Sequence, residues 1–218
     1  HVSRHVVRDT IFLGCEDIME TIKAFCKRKN IEVSAKRYGI DALGAMAQGL
    51  FCSLLIGTIL NTLGQQFHIG FLNAIIFTLG KGEAAVGYTI GGCASLMVGP
   101  AMAVAIGHAL HTPAMVLFSL VPVGFAPNAM GGAGGPLAVL VTAVVAAEFG
   151  KAVSKETKVD ILVTPIVTIL VGIGLAMLVA APIGKGASWV GNIIMWATEQ
   201  QPFVMGIVVS VIVGIALT

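Results

Sequence analysis

Between Ala84 and Ala147 the chain runs for 64 residues without an Asp, Glu, Lys or Arg. Soluble domains carry about 25% charged residues, so an uncharged run of this length belongs in a bilayer. Its second half, Pro113–Ala147, contains Ala126–Pro136 (APNAMGGAGGP), with two prolines and four glycines. That composition cannot continue a helix, yet both flanks are as apolar as lipid tails. Unpaired backbone groups cost several kcal/mol each in hydrocarbon, so a break at membrane depth survives only inside protein or against a water-filled cavity. A Gly/Pro-interrupted apolar segment is the pattern of a transporter's solute site. The competing reading is an ordinary loop outside the membrane. Each flanking half is short for a crossing of ~20 residues, which favours the first.

Composition agrees: 56% of residues are hydrophobic and 11% charged, with mean hydropathy +0.93. The expected fold is all-α, a polytopic membrane protein with broken or re-entrant helices. It divides into a cytoplasmic amphipathic basic tail, 1–38, and a membrane domain, 39–218. Eight of the thirteen Lys and Arg lie in that tail. Its residues Ile11, Cys15, Ile18, Ile22 and Phe25 recur at helical spacing, making one apolar stripe. Lys27-Arg28-Lys29 and Lys36-Arg37 follow, a pattern suited to the anionic inner leaflet. The tail carries neither a nucleic-acid-binding motif nor an aromatic platform, so no nucleic-acid partner is expected. Cys15, Cys26, Cys52 and Cys93 form no CxxC or Cys/His cluster and read as small packing residues.

Ile40–Leu63 is the first expected span. Ile69–Leu79, eleven residues, is too short to cross and reads as a half-span or re-entrant arm. Ala84–Gly107 is a third apolar stretch, with Gly87, Gly91, Ser95 and Gly99 spaced by four for close helix contact. After the break comes the polar loop Glu148–Asp160 with three lysines, then a 21-residue span, Ile161–Ala181. Trp189 and Trp196 suggest that 182–202 lies in the membrane interface. The apolar run Phe203–Thr218 is 16 residues long, short of a span, and the chain is expected to continue beyond it. The tail and the lysine loop should both be cytoplasmic. Charge therefore requires an even number of crossings between them. A single interrupted crossing over Pro113–Ala147 satisfies that condition, and so does a pair of re-entrant arms.

Polar groups at membrane depth are functional hypotheses by default. The candidate substrate-binding residues are Asn128, whose amide both donates and accepts, and Gly131, Gly132, Gly134 and Gly135, with exposed backbone. Glu148 at the inner mouth and Glu83 complete the set. As alternatives, Asn128 is a turn residue, Glu148 a span-end charge beside Lys151, and Glu83 a solvated charge beside Lys81. His108 and His111 lack a third ligand, so no metal is expected, and no cofactor either. GGAGG lacks the GK[ST] ending of a phosphate loop, and no nucleophile–base pair is visible, so no catalytic residue is assigned.

The runs Met130–Leu140 (MGGAGGPLAVL), Val145–Lys151 (VAAEFGK) and Ser154–Pro165 (SKETKVDILVTP), with Ser34–Phe51, resemble a bacterial family. It is the EIIC-like membrane subunit family of the phosphotransferase system, which includes the perfringolysin regulator. The resemblance covers roughly Val33–Thr218. It implies a permease-type subunit of the bacterial inner membrane, a homodimer, binding a sugar-like solute that a separate IIB partner phosphorylates after IIA. The glucose-type Gly-Ile-Thr-Glu motif is missing, and these 218 residues hold no IIA or IIB domain. Relatives named as toxin regulators keep a membrane sensor without transport as the alternative. A channel is disfavoured by the lack of a ring-forming charge.

Overall fold

The computed structural model describes residues 23–31, 34, 36–80, 85–156, 159–198, 206 and 210. After a helical segment at 23–28, the first long helix, α1 (Lys36–Gln66), carries π-helical turns at Lys36–Asp41 and Phe51–Leu55. Its hydroxyls bond to their own helix: Ser53 to the Gly49 carbonyl at 2.7 Å, Thr62 to that of Thr58 at 2.8 Å. In hydrocarbon this is the cheapest way to satisfy them.

At the end of α1 the chain makes one helical turn, α2 (Gly70–Asn73). A small antiparallel pair follows, β1 (Phe77–Leu79) with β2 (Val86–Tyr88), in which Thr78 faces Gly87. The expected arm at Ile69–Leu79 is thus a turn and a strand. The return crossing is α3 (Ile90–Leu96) and α4 (Val98–Ala109), bent by 52°. Pro100 in the first turn of α4 has no N–H for the Leu96 carbonyl, and the bend falls there.

α5 (Ala114–Gly131) and α6 (Gly135–Val153) are joined by a single 3₁₀ turn, Gly132–Gly134. They form an antiparallel hairpin. Gly150 near the end of α6 packs on Val116 near the start of α5, and Gly131 lies by Ala138. Each arm, 18 and 19 residues long, is about 27–28 Å at 1.5 Å per residue, close to the hydrocarbon thickness. The segment at Pro113–Ala147 is therefore a hairpin of two antiparallel helices, each long enough to cross by itself. α7 (Asp160–Thr198) is one continuous helix of 39 residues with Pro165 and Pro182 inside it. The span at Ile161–Ala181 and the expected interfacial segment, as far as Thr198, are one element.

Glycines set the contacts. Gly49 lies against the backbone of Ala101 and Met102, Gly57 against Gly91, and Gly99 against Gly124, at separations that leave no room for a Cβ. The core is small and fully buried: Met102, Ala103 and Ile106 of α4, Leu120 and Val123 of α5, Ala143, Ala146 and Ala147 of α6. The outside is apolar too, with Phe118, Leu170, Met177 and Leu178 all exposed. A surface of this kind fits lipid rather than water. Three helical stretches are long and apolar enough to cross a membrane, Lys36–Gln66, Ala114–Val153 and Asp160–Ile193, and the bent pair makes a fourth.

Candidate functional site

The break is the tip of the α5–α6 hairpin. Gly132 stops α5 with φ 51° and ψ −122°, a backbone conformation that glycine alone adopts readily. α6 restarts at Gly135 with Pro136 in its first turn, where a missing N–H costs nothing. The tip rests on α7. A Cβ on Gly134 would lie 2.8 Å from the Ile183 carbonyl oxygen, and one on Gly184 would lie 2.7 Å from that of Gly131. Gly134 and Gly184 therefore permit backbone contact between the tip and α7. α7 then runs on to Thr198, about 20 Å past the tip.

In the angle between tip and helix is a cavity of about 490 Å³. Met130–Ala133 form one wall, and α7 supplies Lys185, Ser188, Trp189 and Asn192 on the other. Between Ala181 and Ala197 the polar side chains other than tryptophan are Lys185, Ser188 and Asn192, and all three line this cavity. Their spacing of three and four puts them on one helical face. An ammonium, a hydroxyl, an amide and an indole face thus converge on exposed glycine backbone, a donor and acceptor set suited to a hydroxylated small molecule.

The sequence candidates do not gather into one site. Gly131 and Gly132 line the cavity. Gly134 and Gly135 are buried packing positions, Gly134 on α7 and Gly135 on Asn128. Asn128 is half-buried against Gly99 and Gly135 and is not part of the cavity wall. Glu148 is thirteen residues along α6 from Gly135, about 20 Å away. Glu83 lies outside the described residues, as do Ile11, Cys15, Ile18 and Ile22 of the tail stripe. Among the described residues no group of three His, Cys, Asp or Glu side chains could hold a metal. Lys185, Ser188, Trp189 and Asn192 were missed as a group, although their spacing was a usable signal.

Glu148 belongs to a second polar centre at the opposite end. There the segment at 23–28, α4 and α6 all terminate, with Asn30, His111 and Lys155 just beyond each end at φ 54°, 54° and 63°. Each helix C-terminus carries about half a negative charge, and cations meet all three. Lys151, 1% exposed, donates to Glu148 Oε1 at 2.7 Å and to the Asn30 carbonyl at 3.1 Å. Arg37 donates to the Leu110 carbonyl at 2.8 Å, and Lys29 to that of Ser154. Glu156 bridges Lys29 at 2.6 Å and Arg28 at 3.0 Å. The hydrogen bond from Lys29 leads the effects that hold the Glu156 carboxyl below its ordinary range. Tyr38 faces Glu148, whose Oε2 is buried with no hydrogen-bond partner. This end joins the tail to the bundle.

No curated protein and no solved structure matches the chain. A model of the family described as Phosphotransferase system, EIIC matches residues 40–218, from the first turns of α1 to the last residue. With a match over most of its length, on a helical body with a glycine-lined break, the chain belongs to the EIIC family of the phosphotransferase system.

Proposed function

We propose that the chain translocates a sugar-like solute, taken up in the cavity between the hairpin tip and α7, and passes it to soluble IIA and IIB partners for phosphoenolpyruvate-dependent phosphorylation. Family membership makes it a transporter-type membrane subunit of a phosphotransferase system. One observation carries the choice of site: every polar side chain along that length of an apolar helix, tryptophan aside, lines the cavity at the break. Polar side chains are few on so apolar a helix, and a purely structural helix pair has no use for three of them on one face. Trp189 supplies a face on which the C–H side of a sugar ring stacks. The subunit is placed in a bacterial plasma membrane as a homodimer, with the tail and the Glu148–Asp160 loop cytoplasmic under the positive-inside rule. The test is uptake of a labelled sugar panel into vesicles, with and without phosphoenolpyruvate and the soluble partners. Trp189→Ala and Asn192→Ala should reduce uptake at least tenfold in correctly inserted protein. Wild-type uptake in both variants would move the site elsewhere.

The sensory alternative draws on a different observation. The tail is hydrogen-bonded to the ends of both α4 and α6 through Arg37, Lys151 and Lys29, so a shift of either helix is felt in the tail. Solute binding without uptake, together with a solute-dependent change in tail protease sensitivity, would favour that reading.

A further inference from the structure

The cavity at the break contains a full positive charge that a neutral sugar does not need. Lys185 is exposed on its α7 wall. Among the described residues every other Lys, Arg, Asp and Glu belongs to 23–41 or to 148–160, the two stretches that meet at the opposite end of the bundle. No described carboxylate is therefore near enough to pair with this ammonium. The rest of the wall is glycine backbone, the Ser188 hydroxyl, the Asn192 amide and the Trp189 indole, none of which carries charge.

We infer that the solute is a hydroxylated molecule bearing an anionic group, a sugar acid, with its carboxylate on Lys185 and its hydroxyls on Ser188 and Asn192. This rests on the reading of the cavity as the solute site. A lysine at a membrane interface has another common role, spreading its stem over apolar surface with its head in water. That role requires no partner polar groups. Here Ser188 and Asn192 follow at three and seven residues, on the same face and in the same cavity, as a ligand site demands. A charged hydrogen bond to a carboxylate is about twice as strong as a neutral one. A matched acid should therefore outbind its neutral counterpart clearly, with roughly a tenfold difference or more.

The test uses the full chain in lipid nanodiscs with Trp196→Phe, leaving Trp189 as the single tryptophan reporter. Its fluorescence is titrated with matched pairs, gluconate against glucitol and glucuronate against glucose. The inference expects at least one acid to bind ten times tighter than its neutral partner. Lys185→Gln should collapse that ratio towards one, and Lys185→Arg should keep it. A neutral sugar binding as tightly as its acid, or a preference that survives in Lys185→Gln, overturns the anionic assignment and leaves the solute site standing. Quenching by none of the four overturns the solute site itself, and the anionic assignment with it.

Discussion

Lys151→Ala removes the cation at the centre of the tail-end cluster, and its cost can be worked from the contacts. Lys151 is 1% exposed and holds Glu148 Oε1 at 2.7 Å. Removing one partner of a buried pair leaves an uncompensated charge, a loss of roughly 3–5 kcal/mol. The Asn30 carbonyl also loses its 3.1 Å donor, which adds about 1 kcal/mol. The Leu110 carbonyl keeps Arg37 at 2.8 Å and adds nothing. The total, about 4–6 kcal/mol, is a large part of the 5–15 kcal/mol typical of a folded protein. Removing both charges together, with Glu148→Leu and Lys151→Met, orphans no charge. That double variant should lose only about 1–2 kcal/mol and so be more stable than Lys151→Ala alone. Reversible unfolding in mixed micelles of increasing dodecyl sulfate, followed by tryptophan fluorescence, measures both. If Lys151→Ala does not insert, Lys151→Arg, which keeps the charge, serves in its place against Glu148→Leu alone. A double variant as unstable as Lys151→Ala, or a loss below about 1 kcal/mol in the single, would refute the account of this cluster as a charge-compensated anchor.

Gly132→Ala should insert and keep its packing, because nothing lies within 4 Å of the added Cβ. It should still lose about 1–3 kcal/mol through its positive φ, measurable by the same unfolding assay. Gly134→Ala should instead push the tip off α7, where the added Cβ would lie 2.8 Å from the Ile183 carbonyl oxygen. Crosslinking between cysteines at Ala133 and Ser188 should then fall. Because the Glu156 carboxyl is held below its ordinary 4.5, the Lys29–Glu156 link stabilises tail attachment fully above about pH 4.5. It is lost as the pH falls through the lower folded value. Pepsin cleavage of the tail should therefore rise as the pH falls through that lowered value, and less so in Glu156→Gln, whose tail is already loosened at neutral pH. Single cysteines at Ser34 and Lys155 should label from one face of the membrane and a cysteine at Lys185 from the other. Labelling of Ser34 and Lys155 from opposite faces would defeat the order of crossings.

Much of the fold was legible because bilayer physics leaves few options. An uncharged run has to be helical to satisfy its backbone, and the spacing of Gly91 and Ser95 marked a helix face packed on Gly57; Gly99 meets Gly124 beyond the bend, and Gly87 of the same series lies in β2 instead. What composition could not separate was a hairpin of two antiparallel helices from one helix broken in its middle. The deciding residues, Val116 against Gly150 and Gly131 against Ala138, are meetings between positions far apart in sequence. The strands at Phe77–Leu79 and Val86–Tyr88 were hidden for a related reason. A short apolar run has no periodicity long enough to distinguish a strand from a helical turn.

The lining of the proposed site was half legible, and the missing half has one cause. Breaks are visible in sequence, so Gly131 and Gly132, which line the cavity, stood out. Their partner wall lies on α7, and it becomes a pattern only when Lys185, Ser188, Trp189 and Asn192 are placed on one helix. Pro182, with Gly184 and Gly186 close behind, looks like the end of a span. A membrane helix tolerates such a proline where neighbours satisfy the freed carbonyl, and α7 continues through it to Thr198. Once that continuity is granted, spacings of three and four place the polar residues on a single stripe. Asn128 is the opposite case, a candidate that does not line the cavity. It stands next to the break in sequence, but α5 is still helical there, and one turn of helix is enough to aim a side chain away from the cavity. Here proximity to a break says less about a side chain's role than its phase on the helix that carries it.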